Sequence, residues 1–176
     1  MFNVLSQLSE IEDHLYLCRA RAMRPDRVKS LGITYVINCT MELPMFKLPG
    51  VECSRVPVMD MPGASLGVHF DKSADKIHQV HTSGGKTLVH CYAGVSRSAA
   101  ICIAYLMKYK KLTLRQAYEH VKTRRPVIHP NVGFWQQLVH YERKLFGKNT
   151  VQMVPSGLGP IPDVYREHVR ELGYSA

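Results

Sequence analysis

A cysteine followed by five residues and then an arginine can do phosphoryl chemistry if one loop holds both. The chain carries this pairing in "LVHCYAGVSRSA", residues 88–99, where Tyr92, Ala93, Gly94, Val95 and Ser96 separate Cys91 from Arg97. N–H groups of a curved loop that ends at a helix N-terminus converge on one point and bind anions there. Gly94 lets the chain turn without a Cβ clash. Arg97 offers a planar fork for two phosphoryl oxygens. Electropositive surroundings of this kind favour a thiolate over a thiol, and a thiolate at the floor of a phosphate cradle is aimed at phosphorus. The plain alternative is a buried structural cysteine beside a surface arginine. His90 before the cysteine, Ala-Gly within the loop and Ser-Arg-Ser at its end favour the catalytic reading.

A leaving alkoxide or phenoxide needs a proton, so a general acid is required. Asp60 lies in the turn-rich loop "VPVMDMPGAS", after a predicted strand. It would protonate the leaving oxygen and then activate water, against the alternative of a turn-forming aspartate. Asp71 and Asp75 fall within a helical pattern and read as solvated face. His90 would tune the thiolate through local hydrogen bonds rather than act as a base, against the alternative of a plain strand-end histidine.

These residues need a scaffold. "HLYLC", "ITYVINC", "VECSRVPV" and "KTLVHC" read as strands, and "PDRVKSLG" as a short helix with Pro25 early and Gly32 as its stop. Phe70, Ala74, Ile77 and His81 recur at helical spacing between Gly67 and Ser83. The second half is mainly helical. One helix covers 97–110, and the next starts at a Thr113/Gln116 capping box and ends before Pro126. A third begins near Pro130 and carries Phe134, Leu138, Tyr141 and Leu145 on one face. This predicts an α/β fold with a catalytic domain over 7–148. The extension 149–176 joins a Pro/Gly link, "PSGLGPIP", to a helix-like segment whose Tyr165, Val169 and Leu172 form a docking face. "SGGKT" (83–87) imitates a nucleotide-binding loop. It lacks the earlier glycine, since Val80 stands there, and it precedes a strand, so that reading fails.

Composition sets the class. The 176 residues are 45% hydrophobic and 21% charged, as in an ordinary globular domain, with a net charge of +9 that attracts phosphate-bearing partners. No zinc-finger spacing or aromatic RNA-binding stretch accompanies that charge, so no nucleic acid is expected. The five cysteines have no repeated spacing, and the N-terminal stretch has neither the cationic start nor the apolar core of a secretory leader. An intracellular protein is expected, in the cytoplasm and with the nucleus also open to it. No apolar run is long enough to insert in a membrane. His90 and Cys91 have no second pair at ligand spacing, so no metal and no cofactor are expected.

"VHCYAGVSRSA" resembles the signature of the cysteine-dependent protein tyrosine phosphatases, in the dual-specificity branch. "AYLMKYKKLTLRQAYEHVKTRRPVIHPNVGFWQQL" is similar to that family's C-terminal helices. "YERKLFGKNTVQMV" and "IPDVYREH" resemble an atypical subgroup typified by dual specificity protein phosphatases 14, 18 and 21. The resemblance implies a protein-tyrosine-phosphatase-like fold, a central mixed β-sheet flanked by helices. It implies phosphorylated proteins as substrates, with a MAP-kinase-pathway protein suggested. It places the general acid in the Asp60 loop, and it has Ser98 hydrogen-bond the sulfur and help it leave. Asn131 matches an asparagine of the family and would brace the active-site loop; a helix-start role is equally open. Cys39, at the end of "YVINC", is a candidate redox partner for Cys91, with an inert buried cysteine as the alternative. Tyr92 departs from the family, which often has a small residue there. Tyr92 and Val95 stand where lipid-phosphatase relatives carry lysines, so inositol phospholipids fit less well than phosphoproteins. A phosphatase for RNA 5′-ends, glucans or lipids, and a phospho-binding module without turnover, are the rival readings.

Overall fold

The computed structural model describes residues 8–171. Strands β1 (Ser9–Glu12), β2 (Leu15–Arg19), β3 (Tyr35–Asn38), β4 (Glu52–Arg55) and β5 (Thr87–Cys91) form one sheet in the order β1-β2-β5-β3-β4. β2 to β5 are mutually parallel, and β1 runs antiparallel on β2, so the sheet is mixed as expected. β5 is the middle strand and is buried along its whole length. Its C-terminal end delivers Cys91.

The strands alternate between two cores, as the period of two demands. Leu15, Leu17, Ile37 and Val89 face the larger core. Tyr16, Cys18, Val36 and Leu88 face the smaller one, with Val28 of helix α1 (Pro25–Ser30). Helices α2 (Phe70–Thr82), α3 (Arg97–Lys110), α4 (Leu114–Arg124) and α5 (Val132–Phe146) build the larger core. α3 is buried from Arg97 to Met107. Ile101, Ile103 and Leu106 on it are fully enclosed, each worth about 1.5–3 kcal/mol of apolar burial. The central helix therefore holds the loop that precedes it by packing.

The expected capping box is present: the Gln116 N–H donates to Thr113 Oγ1 at 3.2 Å, and Gln116 Oε1 accepts from the Thr113 N–H at 3.0 Å. α4 ends at Arg124, before Pro126. Four features differ from expectation. β1, "SEIE", was not foreseen, because four residues with two glutamates give little strand signal. The Pro/Gly link is closed by a hairpin of β6 (Met153–Val154) and β7 (Ile161–Pro162). Asp71 and Asp75, each about half exposed, are paired rather than free on the helix face. Asp71 binds Lys108, Tyr141 and Lys144, and Asp75 binds Lys108 and Tyr109, so the two carboxylates tie α2 to α3 and α5. His81, which shares helical spacing with the buried Phe70, Ala74 and Ile77, is exposed and stacks on His14 at 3.7 Å.

The last helix, α6 (Asp163–Glu171), is held through its first turns. Arg115 pairs with Asp163 and Glu167, Val164 is buried, and the Tyr165 hydroxyl donates to Pro130 O at 2.8 Å while accepting from Trp135 Nε1 at 2.7 Å. Residue 7, where the catalytic domain was expected to begin, and Leu172 lie outside the described residues, as does the Val169 side chain.

Candidate active site

The loop after β5 wraps around Cys91. The sulfur is almost wholly buried and receives two hydrogen bonds, from the Gly94 N–H at 3.2 Å and from Ser98 Oγ at 3.1 Å. Ser98 is the second residue of α3, so the return of the loop into the helix sets its hydroxyl on the Cys91 sulfur.

The carbonyls of the loop point away from the sulfur and into partners. Tyr92 O accepts from the Ala20 N–H, Val95 O from the His129 N–H and Ser96 O from the Ala100 N–H. Gly94 O and Ala93 O accept from the buried Arg125 guanidinium at 2.8 and 3.3 Å. A trans peptide sets N–H opposite C=O. Turning the carbonyls of residues 92–96 outward therefore directs the amides of residues 93–97 toward the cradle. Gly94 is required twice over: its φ is +67°, and a Cβ there would come within 2.6 Å of Cys18 O.

Arg97 is buried and held by its end. Nη2 donates to Glu42 Oε1 at 2.8 Å, and Nη1 donates to Glu42 Oε2 at 3.1 Å and to Val58 O at 3.0 Å. Its Nε is buried with no partner. The Nε–Nη2 side of the fork is thus the edge left for an anion. Glu42 is drawn well down, to about 2, first by its hydrogen bonds with Arg97. It is a carboxylate at any physiological pH.

Asp60 is exposed on its loop and accepts from Asn131 Nδ2 at 2.9 Å. Asn131 also caps α5, its Oδ1 accepting from the Phe134 N–H at 2.9 Å, and its own N–H donates to Ser96 Oγ at 3.0 Å. One residue thus connects the Asp60 loop, the Cys91–Arg97 loop and a helix start. Gly133 completes that joint, since a Cβ there would lie 1.9 Å from Pro62 O. Asp60, Arg97, Glu42, Met41, Met59 and Met61 share the walls of one open hollow of about 430 Å³.

His90 is buried, with Nδ1 3.4 Å from Cys91 O, and burial pushes its imidazole down toward the neutral form. It meets the backbone of Cys91 rather than the sulfur. Cys39 directly follows β3, the strand beside β5, and its N–H donates to His90 O at 2.8 Å. Burial raises the Cys39 thiol well above its ordinary range, and the neighbouring Cys91 raises it further. Burial also pushes Cys18 up to about 12 and raises Cys102. These three cysteines are therefore held as thiols. Tyr92 stands more than half exposed on the rim.

Sequence reasoning missed Glu42 and Arg125. Glu42 had one usable signal, an acidic residue just after β3 at the C-terminal edge of a parallel sheet, where sites gather. Arg125 had none, because its role is set by tertiary contact. Among the described residues, no group of three or more His, Cys, Asp or Glu side chains is arranged for a metal ion, and no helix is long and apolar enough to cross a membrane.

With that geometry in place, comparison decides the family. Residues 15–144 match the catalytic domain of dual specificity phosphatases. The chain belongs to the dual specificity phosphatase family. It is 52% identical to dual specificity protein phosphatase 14 of Bos taurus, covering 96% of this chain and 85% of that protein. It is 48% identical to dual specificity protein phosphatase 18 of Homo sapiens, covering 94% and 89%. Among solved structures, a mouse putative dual specificity phosphatase complexed with zinc tungstate superposes with a TM-score of 0.77 at 38% identity, covering 80% of this chain and 89% of that one. Family membership makes the chain a cysteine-based protein phosphatase acting on phosphoproteins.

Proposed function

We propose that the chain hydrolyses phosphotyrosine and phosphoserine/phosphothreonine in proteins through a phosphocysteine on Cys91. The observation that supports this most is the pair of donors on Cys91 Sγ, Gly94 N–H and Ser98 Oγ, at the floor of a loop whose carbonyls all face outward.

The phosphoryl group binds with its equatorial oxygens on the amides of residues 93–97 and on the free edge of Arg97. The sulfur lone pair forms the S–P bond as the P–O bond to the side chain breaks. Asp60 gives its proton to the departing oxygen. Water then enters, loses a proton to Asp60 and attacks phosphorus. The S–P electrons return to Cys91, where Ser98 donates to the emerging thiolate. Phosphate leaves and the starting protonation states are restored. No step calls on a metal. Tungstate, present in the mouse relative's complex, is an oxyanion of the kind such a cradle holds.

The reading extends, on family resemblance, to a substrate in a MAP-kinase pathway and to action in the cytoplasm and nucleus. Phosphate release from paired phosphotyrosine and phosphothreonine peptides, in EDTA with reductant, tests the core of it. Wild type should turn over both, Cys91→Ser neither, and Asp60→Ala far more slowly. Tight vanadate binding with no turnover of either peptide would overturn it and move the search to RNA ends, glucans and lipids.

A further inference from the structure

Among the described residues, six large hydrophobic side chains are more than half exposed: Met41, Met59, Met61, Val68, Tyr92 and Leu158. Tyr92 lies on the phosphate loop and Leu158 on the C-terminal link. The other four meet beside the catalytic residues. Met41, Met59 and Met61 wall the hollow that also holds Arg97 and Asp60. The same three methionines, with Pro57, Val58 and Val68, line an adjoining hollow of about 600 Å³ that has no Lys, Arg, Asp or Glu on its walls. The two spaces share three side chains and so adjoin beside Arg97 and Asp60.

We infer that this methionine-walled hollow is a substrate subsite for a large apolar side chain next to the phosphorylated residue. The inference rests on the protein-phosphatase reading and deepens it. A phosphoryl group on Arg97, with its leaving oxygen at Asp60, puts the attached polypeptide against Met41, Met59 and Met61. Exposed apolar surface beside a site marks contact with a partner. Methionine is unbranched and polarisable, so the wall adapts to leucine, methionine or phenylalanine without one fixed shape. Asp60, between Met59 and Met61 in sequence, couples the subsite to the acid: a side chain seated there contacts the residues on either side of it.

The test is a leucine scan. Phosphotyrosine peptides carry one leucine at each of two positions before and after the phosphoresidue, in an otherwise serine flank. In wild type, one of these positions should raise kcat/KM about tenfold, through KM, because the contact exists in ground and transition states alike. The triple variant Met41→Gln/Met59→Gln/Met61→Gln should bring that ratio close to one, and Leu158→Gln should keep it. Because the readout is a ratio within each variant, a general loss of activity does not imitate it. A flat wild-type scan with good turnover, or a preference that survives the triple variant, would overturn the subsite while sparing the protein-phosphatase reading. No turnover of any peptide would overturn both. A flat scan joined to phosphatidylcholine-vesicle binding that the triple variant loses would assign the surface to lipid instead.

Discussion

Asn131 donates to Asp60 at 2.9 Å with the same side chain that caps α5 through the Phe134 N–H. The two duties are separable by chemistry. Aspartate at 131 still accepts from the Phe134 N–H, but it cannot donate to Asp60 and adds a like charge beside it. Asn131→Asp should keep the thermal stability of wild type, whereas Asn131→Ala should lose about 1 kcal/mol with the cap. Both should slow hydrolysis of alkyl phosphates, whose poor leaving groups need the acid, more than that of nitrophenyl phosphate. Equal losses on the two substrates would show that Asn131 acts only through the fold.

The Glu42 carboxylate fixes Arg97 by two hydrogen bonds and leaves the Nε–Nη2 edge open to an anion. Glu42→Gln offers a single acceptor oxygen and loosens that geometry. Misplacing a positioning group by about 1 Å can cost on the order of a hundredfold, and kcat/KM should fall at least tenfold with vanadate affinity falling in step. Unchanged vanadate binding would show that Arg97 is placed without Glu42.

Gly133 sits where any Cβ would strike Pro62 O. Gly133→Ala should push the Asp60 loop off the start of α5. The signature is a steep loss with alkyl phosphates and a mild one with nitrophenyl phosphate, checked by steady-state kinetics on both.

Acid sensitivity follows from the depressed carboxylates. Glu42 falls from 4.5 to about 2 in the folded chain, first through Arg97. Asp71 falls well below its ordinary 3.8, first through Lys144 and then Tyr141. A depressed folded-state value means stability fully present above the unfolded value and lost as pH falls toward the folded one. Urea midpoints should therefore hold above about pH 5 and decline between about pH 4.5 and 2. Both groups are roughly half exposed, which moderates the effect. Asp71→Asn should be less stable at neutral pH and decline less steeply in acid. A parallel decline would place the acid-sensitive groups elsewhere.

The candidate site was legible in the sequence wherever its residues share a loop. Cys91, Gly94, Arg97 and Ser98 lie within eight consecutive residues, between a strand and a helix that announce themselves by pattern. Asp60 was legible because it follows a strand end in a turn-rich stretch. Glu42 and Arg125 were not, since each reaches the loop only after the sheet order and the helix packing are set. β1 and the β6–β7 hairpin escaped for a related reason: four-residue and two-residue strands gain their stability from neighbours, not from their own pattern. Asp71 and Asp75 looked solvated because a helix period reveals a face but not what packs against it.

The central claim is a covalent phosphocysteine, and trapping it is the most direct test. Enzyme mixed with nitrophenyl phosphate is quenched into alkaline denaturant within the first turnover, and the Cys91 peptide is weighed by mass spectrometry. One added phosphoryl group on Cys91 is predicted in wild type, more of it in Ser98→Ala, where the second step lacks its donor to the departing sulfur, and none in Cys91→Ser. Turnover by wild type with no adduct in either wild type or Ser98→Ala would contradict the account.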